Sequence, residues 1–378
     1  MPNVLTAVIP QLLAQGLLAL RSNSVMPRLV NNSYDTMAAM QGATINVPIP
    51  SSIAVQAVNP ANVPPVTPDV QPTSVPIQLS KWYEAPFYLT DKDLKECMDG
   101  TIPMQASEAI KAVANQVDGD IMALYADVYG FAGTPGSTPF AADVSEATEA
   151  RKVLNNQLAP LDDRRMVIDP DAEAEALGLR AFQDMSFSGS AQGIVDGEIN
   201  RKLGFDWFMD QLIPSHTVGT AAGGGYTTDA AGYAVGVKTV TTIAGAGTFE
   251  IGDVFTIAGD TQTYVVTATL AAPGALNFEP GLKVAIPAVA TAITLKGVAS
   301  TAYPQNLVFH RDCFAFASRP LADNTDGLGN IIQAAVDPVS GVALRLEVSR
   351  EHKQTRYSYD ILYGCSTVRA PLGVRLWG

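Results

Sequence analysis

Residues 44–88 read TINVPIPSSIAVQAVNPANVPPVTPDVQPTSVPIQLSKWYEAPFY, and this stretch decides the fold. Pro48, Pro50, Pro60, Pro64, Pro65, Pro68, Pro72 and Pro76 crowd its first two thirds, and Asp69 is the only charge between residues 36 and 80. Proline removes backbone donors and keeps a segment out of central strands. The Val, Ile and Thr between the prolines still favour extended backbone. The pattern predicts a two-armed loop, outward along 44–58 and back along 72–88, with its tip near Pro64-Pro65. Disordered linkers are usually rich in charge, and this stretch is not. Its apolar side chains need a surface to lie on, and the expectation is that an adjacent copy of the chain supplies it.

The whole chain repeats that imbalance. Of its 378 residues, 47% are hydrophobic and 16% charged, against about 25% charged in an average soluble domain. So few charges imply a very large core or extensive cover by other chains. A net charge of −13 argues against a nucleic-acid coat protein, which needs clustered Lys and Arg. Cys97, Cys313 and Cys365 are too scattered for a disulfide framework or zinc site. No apolar run reaches membrane-spanning length, and no Lys or Arg precedes Arg21, so a basic secretory leader is not expected.

On either side of the loop the periodicity changes. Leu12, Leu13, Leu17 and Leu20 predict an apolar amphipathic arm over 3–20, interrupted at Pro10. Thr90 and Asp93 suit a capping box for a short helix, Asp91 to Met98. Thr101 and Pro103 then open a long helix whose stripe, Ile110, Val113, Val117, Ile121, Leu124 and Val128, runs to Tyr129. Such a helix would be about 40 Å long.

Residues 145–220 read as α/β. A helix is expected from Ser145 to Leu158, a buried strand from Arg164 to Ile168, and a helix starting at Pro170 behind Asp169, with Asp171, Glu173 and Glu175 favoured by the helix dipole. Residues 221–299 carry thirteen Thr and little helical pattern. Strands expected at 233–243, 253–257, 262–270 and 291–296, with Gly-rich turns between them, predict a small inserted β-barrel or sandwich. Leu307 to Phe316 reads as one apolar strand. The alternation of Val342, Leu344, Leu346 and Val348, and of Tyr357, Tyr359, Ile361 and Tyr363, predicts a hairpin across Arg350 to Gln354.

Chemistry-bearing constellations are weak. His310 and Cys313 lie at an odd spacing in an apolar strand, which sends their side chains to opposite faces. A nucleophile and its base need hydrogen-bond contact. His216 and His352 read as solvated. Asp323, Asn324, Asp326 and Asn330 miss the calcium-loop frame, since Gly327 falls fifth from Asp323 and Ala334 stands at the twelfth position. Gly189, Gly193 and Gly197 lack the P-loop ending and the dinucleotide spacing. Asp162-Asp163 adjoin Arg164-Arg165, so local charge pairing is expected there. No catalytic residue, cofactor site or metal site is assigned.

The order of parts resembles the major capsid protein of tailed bacteriophages, whose fold also forms the floor of herpesvirus shells. The nearer resemblance is to podovirus-type coat proteins with an inserted β-barrel. Leu161-Asp-Asp-Arg-Arg-Met-Val-Ile-Asp-Pro170 is similar to the strand opening that family's axial domain. Gly204-Phe-Asp-Trp-Phe208 through Ile213-Pro-Ser-His-Thr217 resembles the approach to the insertion. Gly252-Asp-Val-Phe-Thr-Ile-Ala-Gly259 resembles a turn and strand of the barrel, and Asn306-Leu-Val-Phe-His-Arg311 the strand re-entering the axial domain.

The resemblance implies an α+β fold divided as follows: 1–43 N-terminal arm and start of the peripheral domain, 44–88 extended loop, 89–139 peripheral domain with the spine helix, 140–220 and 300–378 the two parts of the axial domain, and 221–299 the inserted barrel. It implies a structural, non-enzymatic subunit that self-assembles into hexamers and pentamers of an icosahedral head. That head would enclose double-stranded DNA without sequence-specific binding. Scaffolding protein and portal would be partners, a decoration protein a further one, and no membrane. The subunit would be made in the host cytoplasm and reside in the virion. Some relatives seal their shells with Lys–Asn isopeptide bonds. Here the first lysine is Lys81, at the loop base, so no crosslink through the tip is expected. A cellular nanocompartment shell of the same fold and a Cys–His hydrolase around His310 and Cys313 are the alternatives.

Overall fold

A computed structural model describes residues 24–34, 44–50, 72–92, 101–184, 201–271, 273–321, 330–337 and 340–377, with Leu13, Val55, Gly197 and Ile199 as single positions. The arm expected over 3–20, the loop tip at Pro64-Pro65, most of the helix expected over 91–98, Gly189, Gly193, Asp323, Asn324 and Asp326 lie outside the described residues.

Strands β1 (Thr44–Ile49) and β2 (Thr73–Gln78) form an antiparallel ribbon, and β3 (Lys81–Thr90) follows. Helix α1 (Thr101–Met122) leads into β4 (Gly130–Gly133), α2 (Ser145–Asn156), β5 (Arg164–Ile168), α3 (Pro170–Gly178), β6 (Asp206–Met209) and β7 (Ser215–Thr217). The next six strands are β8 (Thr227–Thr228), β9 (Thr239–Ala244), β10 (Val254–Ile257), β11 (Thr263–Val266), β12 (Ala275–Glu279) and β13 (Ile293–Leu295). The chain then returns through β14 (Ala302–Pro304), β15 (Asn306–His310), β16 (Phe314–Ser318), β17 (Ile331–Val336), β18 (Ala343–Glu351), β19 (Gln354–Thr367) and β20 (Gly373–Trp377).

Three large sheets and two two-stranded pairs, β1–β2 and β7–β14, organise these strands. The first has the order β4-β20-β15-β5-β6, the second places β17-β18-β19 beside β16 and β3, and the third is β13-β10-β11-β12-β9-β8. The third sheet is an excursion. It leaves the body after β7 and returns at β14, and these two strands pair, Ser215 opposite Pro304 and Thr217 opposite Ala302. The ends of the insertion therefore lie side by side. Its own core packs Tyr226, Phe249, Phe255, Tyr264 and Phe278, and Trp377 of β20 joins it from the body, stacked on Tyr303.

Helix α1 buries Ile110, Val113, Val117 and Ile121 against the second sheet, as the stripe predicts. It is shorter than expected. At Ala123 it tightens into a 3₁₀ turn to Asp127, and Tyr129 precedes β4. Leu124 and Val128 continue the helical spacing but serve a different element, because Gly130 must run parallel to β20.

Two further expectations change. Leu307 to Phe316 is not one strand. A 3₁₀ turn, Arg311–Cys313, divides it, and its halves enter different sheets. Both halves are buried throughout, so the sequence shows one continuous apolar run. In the insertion, β12 adds a strand beyond those expected, and the segment expected at 233–243 is a continuous strand only from Thr239, Tyr233 making an isolated pair with Ile286. The C-terminal hairpin forms as expected, with Glu351 opposite Gln354. It joins β3 and α1, however, so residues 300–378 divide between the first and second sheets and the β7–β14 pair.

Candidate assembly surface

The second sheet presents two unlike faces because side chains alternate along a strand. Toward α1 it carries Tyr357, Tyr359, Ile361 and Tyr363, with Phe87 stacked on Tyr357 at 5.2 Å. On the other face Glu84 pairs with Arg356 at 2.5 Å and Arg345 pairs with Asp360. The Ser358 hydroxyl donates to Glu84 at 3.1 Å. Burial raises the Asp360 carboxyl above its usual range, against the opposing pull of Arg345. Near this charge ladder, β3 exposes Trp82 (62%) and Tyr88 (50%). β3 pairs with β19 along one side, and Pro86 at its centre suits a strand with a free outer edge.

The ribbon springs from the same place. Ile45, Val47, Ile77 and Leu79 bury one face on Ala315 and Ala317 of β16. Gly364 permits the approach, since a Cβ there would stand 2.2 Å from the Gln78 carbonyl oxygen. This corrects the expectation in part: the described half of the loop lies on its own body, and residues 81–88 are a sheet strand rather than a free arm. Lys81 is held at the base by Asp120 of α1 at 3.1 Å.

A second polar constellation joins the insertion to the body. Arg375 is fully buried. It donates to the carbonyls of Val128 and Gly252, both at 2.7 Å, and its guanidinium stands 5.3 Å from the centre of the Tyr125 ring. Burial lowers its pKa to about 10. Gln305 accepts from the Trp377 indole at 2.7 Å. His216, expected to be solvated, is buried here with Nε2 2.9 Å from Asp253, while Tyr125 lies 3.3 Å from Nδ1. Asp253 also accepts the backbone N–H groups of Gly219 and Glu250. Sequence reasoning missed this cluster, whose members lie far apart in the chain. The available signal was a lone Arg375 inside the apolar run Gly373–Trp377.

The remaining candidates do not converge. His310 Nδ1 accepts the Asp312 N–H at 3.2 Å. Cys313 is buried in the core, and burial pushes its thiol well above its ordinary range, the reverse of nucleophile activation. His352 is exposed. Asn330 donates to Glu347 at 3.0 Å. Asp162 attracts Arg164 and Asp163 attracts Arg165, as the local charge pairing leads one to expect, but the guanidiniums give their hydrogen bonds elsewhere. Arg164 donates to the carbonyls of Ala159 and Pro160, and Arg165 to that of Leu29. Among the described residues no group of three His, Cys, Asp or Glu is placed to hold a metal ion, and no helix is long and apolar enough to cross a membrane.

No family model and no curated protein matches the chain in sequence. Its fold has solved counterparts. A structure of Mycobacterium phage Che8 aligns over 93% of this chain and 90% of its own, at 15% identity and a TM-score of 0.54. The capsid structure of the cyanophage P-SCSP1u aligns over 94% and 88% at 11% identity, with a TM-score of 0.49. The asymmetric unit of the bacteriophage PhiM1 mature capsid aligns over 90% and 83% at 8% identity, with a TM-score of 0.48. The chain has the tailed-phage capsid fold that the order of its sequence elements implied.

Proposed function

We propose that this chain is the major capsid protein of a tailed phage, assembling into the icosahedral head that encloses packaged double-stranded DNA. The observation that carries the reading is a fold match to the Che8 structure spanning 93% of this chain and 90% of the other. The low charge and the exposed aromatic residues of β3 agree with a subunit that completes its burial on neighbours. A subunit of net charge −13 repels DNA at long range, so the inner wall would hold the genome without gripping it. Scaffolding protein and portal are the proposed partners, a decoration protein a further one, and the virion the proposed location after synthesis in the host cytoplasm.

The same reading makes the chain non-enzymatic and free of crosslinks through the loop tip, since Lys81 is engaged at the loop base. Expressing the chain, alone and with a scaffolding protein, and imaging the product by electron microscopy tests the proposal. Closed icosahedral shells are the expected outcome, and a stable monomer under every assembly condition contradicts it. Shells that co-purify with an enzyme cargo and no DNA would identify a nanocompartment instead. Cys313→Ser should leave shell formation intact; an enzymatic activity that this substitution abolishes would overturn the non-enzymatic reading.

A further inference from the structure

Three lysines, Lys152, Lys283 and Lys296, line a groove of about 420 Å³ between α2 and the inserted sheet. The lysine ion pairs of the described residues lie elsewhere, at Lys81, Lys111 and Lys238. Glu149 is the groove's one acidic lining residue, and it accepts the Gly133 N–H at 3.2 Å. Lys296 stands 5.6 Å from the centre of the Phe131 ring. On the same segments of the insertion, Val284, 48% exposed, stands at a depression of about 210 Å³ that Asp260 also lines and whose Ile257, Leu282 and Ile286 are buried in the insertion's core.

The loop joining α2 to β5 carries the complementary features. Leu158 is 89% exposed and Leu161 65%, and Asp162 and Asp163 are exposed beside them. Arg164 turns inward and spends its hydrogen bonds on the carbonyls of Ala159 and Pro160 at 2.7 and 2.5 Å, so that it attracts Asp162, as Arg165 attracts Asp163, only through space. That buried guanidinium props the loop from beneath. Pro160 limits its backbone, and the Asp163 carbonyl accepts the Arg311 N–H at 3.2 Å. Leu158 and Asp163 hold φ values of +59° and +46°, a conformation that costs energy for residues with a side chain. The loop is thus pre-formed, which lowers the entropy lost on docking.

We infer that the Leu158–Asp163 loop of one copy docks on the lysine groove of another, its aspartates meeting the lysines and its leucines the exposed Val284 next to Lys283. The inference rests on the shell reading above. A nucleic-acid phosphate fits less well. It would leave the exposed Leu158 and Leu161 without a role, and the chain's net charge of −13 opposes it.

Charge exchange tests the contact in the full-length chain, with wild-type shells as the reference. Absence of shells from the wild type would break the shell reading itself. Where the wild type assembles, D162K/D163K and K152E/K283E should each slow assembly by about tenfold or more, measured by light scattering. Uniting both sets in one chain should restore the rate. Wild-type rates for the single sets, or a united variant no better than its parents, overturn the inference. So does normal assembly of K152E/K283E with less retained nucleic acid, which would assign the groove to phosphate. A milder pair guards against misfolding. Copies bearing D162C, mixed with copies bearing K283C, should form disulfide-linked dimers on oxidation, and dimers no more abundant than in either variant alone contradict the contact.

Discussion

The inserted sheet and the β1–β2 ribbon both depart from the same body, yet they bury themselves differently. The insertion surrounds Phe255 with Phe249, Tyr264 and Phe278 at ring-centre distances of 6.5, 5.7 and 5.5 Å. It brings its own core and takes from the body a lid, Trp377, and a buried arginine. The ribbon has four buried side chains of its own and must lay them on β16. An isolated two-stranded ribbon is marginal in water. A segment with an aromatic core behaves as a domain, whereas a segment without one is a limb that depends on whatever surface lies beneath it.

The sharpest way to break this comparison is Phe255→Ala. Truncating a buried Phe costs about 3–5 kcal/mol. If the insertion is a separate cooperative unit, hydrogen exchange should accelerate in β9 to β13 and stay slow in β5 and β15. Uniform acceleration would make the two one unit. Arg375→Met removes the guanidinium that satisfies Val128 and Gly252 and leaves those carbonyls buried. A loss of about 3 kcal/mol is expected in denaturant unfolding, on the scale of breaking a buried charged hydrogen-bond set. A change within experimental error would show that the insertion needs no such anchor. Ile77→Ala should cost less, about 2 kcal/mol. Its effect should be confined to protection of β1 and β2.

The smallest effect expected is a pH dependence within the body. Asp118 of α1 is buried and accepts the Val25 N–H at 2.9 Å. Burial raises its pKa to about 7, with a further push from Asp210. The folded chain therefore holds this proton more tightly than the unfolded chain does. The stabilisation is fully present below the ordinary carboxylate pKa and is lost as pH rises through about 7. Linkage puts the loss at about 2 kcal/mol between pH 5 and 7. Asp118→Asn should flatten that part of the stability profile, and an unchanged slope would assign it to other groups.

Much of the body was legible because its patterns are local. Arg164–Ile168, whose apolar end is Met166-Val-Ile168, is bounded by Asp163 and by Asp169-Pro170, and it forms β5 with those ends. The β18–β19 hairpin follows from its alternation. What escaped depends on contacts between distant residues. The run from Leu307 to Phe316 hides a change of sheet because both halves are buried on both faces. His216 reads as a loop residue until Asp253 and Tyr125 fold around it. The Asp162-Asp163 and Arg164-Arg165 pairs attract one another as their adjacency suggests, but the sequence does not show that backbone carbonyls take the guanidiniums' hydrogen bonds.

The central claim is that copies of this chain complete one another's surfaces, and a cryo-electron-microscopy reconstruction of purified assemblies tests it most directly. The account predicts closed shells in which Trp82 and Tyr88 of β3 are covered by a neighbouring copy. Shells that leave both residues bare, or particles containing a single chain, would contradict it.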